Sequence, residues 1–147
     1  MKTTVLTSIF LLATSIIFGF KPKTAQMKTE EGIQFFTGTW QQALDKAKKE
    51  NKYIFLDAYA SWCGPCKMMK NKTFSDKAVG DFYNKNFICI AIDMEKGEGS
   101  ALAKKYAVEA YPTLIYFKPD GKLIGKAMGF RKSKEFLEIG EQVIKSK

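Results

Sequence analysis

Two cysteines with two residues between them are the part of this chain whose spacing indicates chemistry. Cys63 directly follows Trp62, and Gly64 and Pro65 lie between Cys63 and Cys66. Two thiols at this spacing, at a turn from a strand to a helix, can form a small disulfide and release it again. The spacing therefore favours electron transfer between thiols and disulfides as the function.

The turn lies between two segments that predict how the sulfurs are positioned. Tyr53 to Tyr59 is a nearly continuous apolar run, which is typical of a central strand covered on both faces. A helix is expected to begin in the turn, since Pro65 is tolerated in a first helical turn. Cys63 would then lie at the helix N-terminus, where partial positive charge stabilises a thiolate. Cys63 is predicted to be an accessible nucleophile, and Cys66 the resolving thiol one helical turn later.

The rest of the chain alternates between strand and helix patterns. Strands are predicted at 33–36, 53–59, 87–92, 113–117 and 123–127. Helices are predicted to begin after the capping box at Thr39, after the cysteine turn, after Ser75-Asp76, at Ala101 and at Ser133. Early strands separated by helices indicate parallel crossovers, and Pro119-Asp120-Gly121 indicates a final antiparallel hairpin. The predicted class is α/β, with a mixed central β-sheet flanked by helices on both faces.

Composition excludes several kinds of chemistry. The 147 residues suit one domain, and there is no histidine, so catalytic triads, Cys-His nucleophiles and histidine-ligated zinc are excluded. Three cysteines are too few for a disulfide-stapled scaffold and one thiolate short of an all-cysteine zinc site. No metal and no cofactor are predicted. The net charge of +9 comes from scattered lysines, which indicates a basic surface rather than a nucleic-acid site.

The N-terminus resembles a secretory signal. Lys2 precedes an apolar run from Val5 to Phe20, which is somewhat short for a bilayer-spanning helix. We therefore expect a signal peptide over 1–25, a linker over 26–32 and one domain over 33–147. A retained N-terminal membrane anchor is the alternative, because Lys23 is a poor companion for cleavage after Ala25.

Three features together resemble the thioredoxin family over about residues 35–145. They are the Cys-Gly-Pro-Cys turn, Asp57 six residues before Cys63, and Tyr111-Pro112-Thr113 leading into a strand. Residues 56–63 and 73–76 are most similar to the C-terminal thioredoxin-like domain of the transmembrane thiol–disulfide interchange protein, which works in the bacterial periplasm. The resemblance implies the thioredoxin fold, a thiol–disulfide oxidoreductase and an exported, periplasmic location.

The resemblance also implies a function for Asp57, as a buried acid that takes the proton of Cys66 during resolution. The alternative is a partly exposed acid at a strand end. Thioredoxin has a lysine near this acid, and the matching position here is Cys89. Without that cation, desolvation is expected to raise the pKa of Asp57. Cys89 itself is predicted to be buried and inert, with a redox-active third cysteine as the alternative.

Further site residues follow from the same resemblance. Pro112 is expected after a cis peptide bond, facing the cysteine pair, with the backbone of Tyr111 offering hydrogen bonds to an extended substrate chain. Trp62 and Tyr59 are expected to flank the site, although ordinary packing would also explain both. Gly64 would let a substrate chain approach closely.

The central Gly-Pro dipeptide is similar to that of the reducing members of the family. We therefore predict a disulfide reductase that acts on exported proteins through transient mixed disulfides. It would receive electrons from a membrane thiol–disulfide donor. One alternative is a periplasmic oxidase or isomerase. Another is a chaperone that holds Cu(I) between the two thiolates, and a third is a non-catalytic adaptor.

Overall fold

A computed structural model describes residues 31–146 of the chain. The five α-helices are α1 Trp40–Glu50, α2 Gly64–Met68, α3 Lys77–Asn86, α4 Gly99–Lys105 and α5 Ser133–Lys145, and the four strands are β1 Tyr53–Tyr59, β2 Phe87–Asp93, β3 Thr113–Phe117 and β4 Leu123–Met128. The predicted signal peptide, 1–25, and residues 26–30 of the predicted linker lie outside the described residues. Within the described part, no helix combines the length and apolar character needed to cross a bilayer.

The strands form one mixed sheet in the order β2-β1-β3-β4. Strand β1 pairs in parallel with β2 and antiparallel with β3, and β3 pairs antiparallel with β4. Five consecutive residues of β1 are buried, as its continuous apolar sequence predicted. Because β1 lies inside the sheet, the turn that follows it is supported by a neighbouring strand on each side.

Helices pack on both faces of the sheet, which confirms the predicted α/β class. On one face, α1 and α4 bury Trp40, Ala43, Ala47 and Leu102 against apolar residues of the strands. On the other face, α3 and α5 bury Val79, Tyr83, Phe136 and Val143 around Phe55. The ring of Phe55 lies 5.1 Å from that of Phe136 and 5.4 Å from that of Tyr83. Burial of these aromatic side chains is a major source of the domain's stability.

The strand predicted at 33–36 is reduced to a single bridge between Phe35 and Cys89. The backbone N–H of Phe36 donates to the carbonyl of Cys89, but that of Ile33 donates to the carbonyl of Phe74 instead. The N–H of Gln34 donates to Asn84 Oδ1. Because the backbone donors of this segment have three separate partners, it does not form a ladder, and the sheet of the described residues has four strands rather than five.

Two helices also differ from their predicted courses. Helix α4 begins at Gly99, where a loop was predicted, and its packing requires glycine because a Cβ there would lie 2.0 Å from the carbonyl oxygen of Asp93. The helix after the cysteine turn changes to a π-helical turn over Met69–Thr73. Thr73 Oγ1 donates to the carbonyl of Arg131, and the backbone N–H of Arg131 donates to Met69 Sδ. These bonds attach the helix after the cysteine turn to the loop after β4.

Candidate active site

The two cysteines lie where the chain passes from β1 into α2, and their sulfurs are joined by a disulfide. Cys63 is the N-cap of α2, and its Sγ accepts a hydrogen bond from the backbone N–H of Cys66 at 3.1 Å. An N–H group at a helix start stabilises negative charge on the atom it contacts. In the reduced protein this arrangement favours the thiolate form at Cys63.

The disulfide is more enclosed than the sequence analysis expected. Cys63 is 2% exposed and Cys66 is 6% exposed, so the prediction of an accessible Cys63 sulfur is wrong for this state of the protein. Ala60 is buried with the pair, and Tyr59 and Tyr111 pack against it, which places Tyr59 beside the site as expected. The two cysteines are therefore not distinguished by their exposure. They are distinguished by their position, because Cys63 is the residue whose sulfur caps the start of α2.

Asp57 is a buried acid in the middle of the sheet. It pairs with Ala91 of β2 and Leu114 of β3 and is 6% exposed, so the alternative of a partly exposed acid is wrong. Its Oδ1 has no hydrogen-bond partner among residues 31–146. Burial raises the pKa of Asp57 to about 7, because an unpartnered carboxylate is costly in an apolar interior. The predicted direction of the pKa is confirmed.

Asp57 and Cys66 line the same groove, which has a volume of about 610 Å³. Lys67 and Lys70 of the active-site helix segment line it as well. Cys66 therefore shares a solvent-connected space with the acid expected to receive its proton. The resemblance to the thioredoxin family predicted the function of Asp57, but the sequence did not predict this groove.

The third cysteine, Cys89, lies on β2, the strand that also contains Ala91, which pairs with Asp57. Cys89 is paired with Phe55 and is two residues from Ala91. It is buried and not bonded to another cysteine, and burial raises the pKa of its thiol. A buried neutral thiol has little reactivity, in agreement with the prediction of an inert Cys89.

The other side of the disulfide is bordered by the loop before β3. The peptide bond between Tyr111 and Pro112 is cis, as the resemblance implied. The carbonyl of Pro112 accepts a hydrogen bond from the backbone N–H of Gly129 at 2.8 Å. Gly129 has a φ of +86°, a conformation in which glycine is favoured. This bond holds the proline loop against the end of β4.

Trp62 is 67% exposed, and its ring lies edge-on to that of Tyr111, with centroids 6.0 Å apart. The indole Nε1–H donates to Glu95 Oε2 at 2.9 Å. Sequence reasoning missed Glu95, because an acid 33 positions from Trp62 belongs to no local motif. Its contact depends on how the loop after β2 packs against the cysteine turn.

Comparison with known proteins agrees with this geometry. Residues 40–144 match the model of a thioredoxin-like domain. The chain is 38% identical to thioredoxin H4 of Arabidopsis thaliana over 109 residues, or 72% of this chain and 87% of that protein.

Two solved structures extend the comparison. A protein of Bacteroides thetaiotaomicron, described as a proposed disulphide-isomerase, aligns with a TM-score of 0.70 and 38% identity over 80% of this chain and 97% of its own. The oxidised C-terminal domain of DsbD from Neisseria meningitidis aligns with a TM-score of 0.62 and 30% identity over 76% of this chain and 99% of its own.

The fold and the cysteine pair define a thiol–disulfide oxidoreductase. More particularly, the chain belongs to the thioredoxin-like family, since the family model matches well over half of its length.

Proposed function

We propose that this oxidoreductase is a disulfide reductase of exported proteins. The observation that carries the proposal is the hydrogen bond from the Cys66 backbone N–H to Cys63 Sγ at the start of α2. It stabilises the thiolate that must attack a substrate disulfide. The central Gly-Pro of the turn is similar to that of reducing members of the family, and this supports the direction of electron flow.

The reaction takes two exchange steps. The Cys63 thiolate attacks one sulfur of a substrate disulfide, forming a mixed disulfide and releasing the other substrate sulfur as a thiolate. Cys66 then loses its proton and attacks Cys63 Sγ, which breaks the mixed disulfide and releases the second substrate sulfur. Two electrons pass to the substrate, and the chain ends with the Cys63–Cys66 disulfide seen in the structure.

Asp57 is proposed as the acceptor of the Cys66 proton. Both residues line one groove, and a carboxylate whose pKa is raised to about 7 can take up a proton and release it again near neutral pH. The groove gives this proton a route to solvent. The position of Asp57 therefore supports its function in the resolving step and not in the first attack.

Substrates are proposed to bind on the face formed by Trp62, Gly64 and Tyr111, with Pro112, which is buried, lying beneath it. A Cβ at Gly64 would meet no atom within 4 Å, so open space adjoins the turn and another chain can approach it. Trp62 supplies exposed aromatic area, and the backbone of Tyr111, which packs against the cysteine pair, is proposed to offer hydrogen bonds to the substrate chain. Tyr59 packs against the cysteine pair from inside and is proposed to border this face.

The proposed location is the bacterial periplasm, with residues 1–25 acting as the export signal. The similarity to the C-terminal domain of a thiol:disulfide interchange protein supports this location. In an oxidising compartment a reductase needs a supply of electrons. We propose that a membrane thiol–disulfide protein donates them to the Cys63–Cys66 disulfide.

The direction is tested by the reduction potential of the Cys63–Cys66 couple, measured by equilibration with dithiothreitol or glutathione buffers. A reductase is expected near about −270 mV, whereas a value above about −150 mV would favour an oxidase or isomerase. Substrates are tested with a Cys66→Ser variant expressed in the native host, which should hold them as mixed disulfides through Cys63. A Cys63→Ser, Cys66→Ser double variant is the matched control and should capture none of the same proteins.

A further inference from the structure

The groove behind the disulfide has the size and the lining of a small-molecule site. Its volume of about 610 Å³ lies within the range of ligand pockets, about 300–1,000 Å³. Phe35 and Phe74 form an aromatic wall, with their rings edge to face and centroids 5.3 Å apart. Tyr59 and Ala60 line it on the side of the disulfide. An apolar molecule would replace water against these side chains.

The buried end of the groove carries an unpartnered polar atom. Oδ1 of Asp57 is buried and has no hydrogen-bond partner among the described residues, although Asp57 lines the groove. Buried polar groups without partners are rare because they are costly. A molecule with a polar edge could supply the missing bond, accepting from the protonated acid or donating to its oxygen.

The exposed rim carries a net positive charge. Lys67 and Lys70 both line the groove and are exposed, and Glu31 is the exposed acid that lines it with them. Neither lysine forms a salt bridge within residues 31–146. Because both side chains line this one groove, they lie on the same side of the segment. They could together hold one anionic group.

We infer that this groove binds a small amphipathic anion: an aromatic body packed against Phe35, Phe74 and Tyr59, with a carboxylate at Lys67 and Lys70. The apolar walls select the body, and the two ammonium groups select the head. A hydroxyl at the far edge of the body would bond Asp57 Oδ1, deep in the groove.

Occupancy would also affect the redox cycle, a consequence that rests on the proposed function. The bound anion would cover Asp57 and Cys66 while leaving Trp62 and Gly64 exposed to substrates. It would therefore slow the resolving step and leave the attack by Cys63 unchanged. Binding itself requires no redox activity, so failure of the proposed function would leave the binding result intact.

The test uses 6-hydroxy-2-naphthoate as the probe, because its hydroxyl lies opposite its carboxylate and can bond Asp57 Oδ1. Affinity for the disulfide form of the protein is measured by calorimetry at about pH 6, below the pKa of Asp57. Ala91 is exposed, lines the groove and pairs with Asp57, so Ala91→Phe should fill the groove and abolish binding. Lys70→Gln should weaken binding about threefold, and less at high salt. Lys72→Gln is the matched control, since Lys72 is exposed on the same segment but is not among the residues that line the groove.

Saturable binding that is lost in Ala91→Phe and weakened in Lys70→Gln, but kept in Lys72→Gln, would support the site. The absence of saturable binding to the wild-type protein would overturn it, as would equal affinities for wild type and Ala91→Phe. Near-ultraviolet circular dichroism checks that each variant is folded. If Ala91→Phe is not folded, probe affinity is measured for the double variant Lys67→Gln, Lys70→Gln instead. An affinity equal to that of the wild type would overturn the proposal.

Discussion

Replacing Asp57 by asparagine should stabilise the folded protein at alkaline pH, and progressively less as the pH falls. The reason is the cost of a charged carboxylate at a position that is 6% exposed. Burial raises the pKa of Asp57 from 3.8 to about 7. At about 1.4 kcal/mol per pKa unit, this corresponds to about 4 kcal/mol in the free energy of unfolding. Little of it is reduced by solvent screening, because the side chain is buried.

The sign of the effect follows from proton binding in the two states. Below pH 3.8, Asp57 is protonated in both the folded and the unfolded protein. As the pH rises towards about 7, the unfolded state loses the proton while the folded state keeps it. The free energy of unfolding of the wild type therefore falls as the pH rises between these two pKa values, and the full loss is present above the higher one. Asparagine does not titrate, so Asp57→Asn is free of this loss.

The assay is urea unfolding of the disulfide form at about pH 4, about pH 6 and about pH 8. The stability difference between Asp57→Asn and wild type should grow across this series by about 4 kcal/mol. Asp45→Asn is the control, because Asp45 is exposed on α1 and its replacement should change stability by less than about 0.5 kcal/mol at each pH. A difference for Asp57→Asn that is the same at both ends of the series would refute the reasoning.

Three further predictions concern the remaining site residues. In the reduced protein, iodoacetamide at neutral pH should modify Cys63 several times faster than an ordinary thiol, and Cys63→Ser should remove this fast phase; one slow rate throughout would contradict a stabilised thiolate. Glu95→Gln should make the Trp62 side chain more mobile, which would lower the NMR order parameter of its indole N–H. It should also halve kcat/KM, which corresponds to about 0.4 kcal/mol of transition-state stabilisation. An unchanged indole order parameter would show that the Glu95 contact does not hold the ring. Cys89→Ala should cost about 1 kcal/mol of stability with unchanged disulfide-reductase activity, whereas a loss of activity as large as that of Cys63→Ser would make this thiol a redox participant.

Local patterns predicted most of the fold because each pattern is a local constraint on the chain. The continuous apolar run at β1, the capping box before α1 and the turn between β3 and β4 were each confirmed. The segment at 33–36 has a strand-like sequence, yet it makes only one bridge. Its backbone donors bond to three separate residues, Phe74, Asn84 and Cys89, and no local sequence pattern predicts these distant partners.

The sequence by itself indicated thiol–disulfide chemistry, since two thiols two residues apart at a strand-to-helix turn can form a disulfide and release it. It also determined that Asp57 would be an acid in an apolar strand, and hence the direction in which its pKa moves. Only the tertiary structure decided what surrounds these groups. The groove shared by Asp57 and Cys66, the bond from Trp62 to Glu95 and the low exposure of Cys63 depend on packing between segments far apart in the chain. Burial and hydrogen bonding at the site are set by that packing, because desolvation depends on every atom nearby and not on sequence neighbours alone.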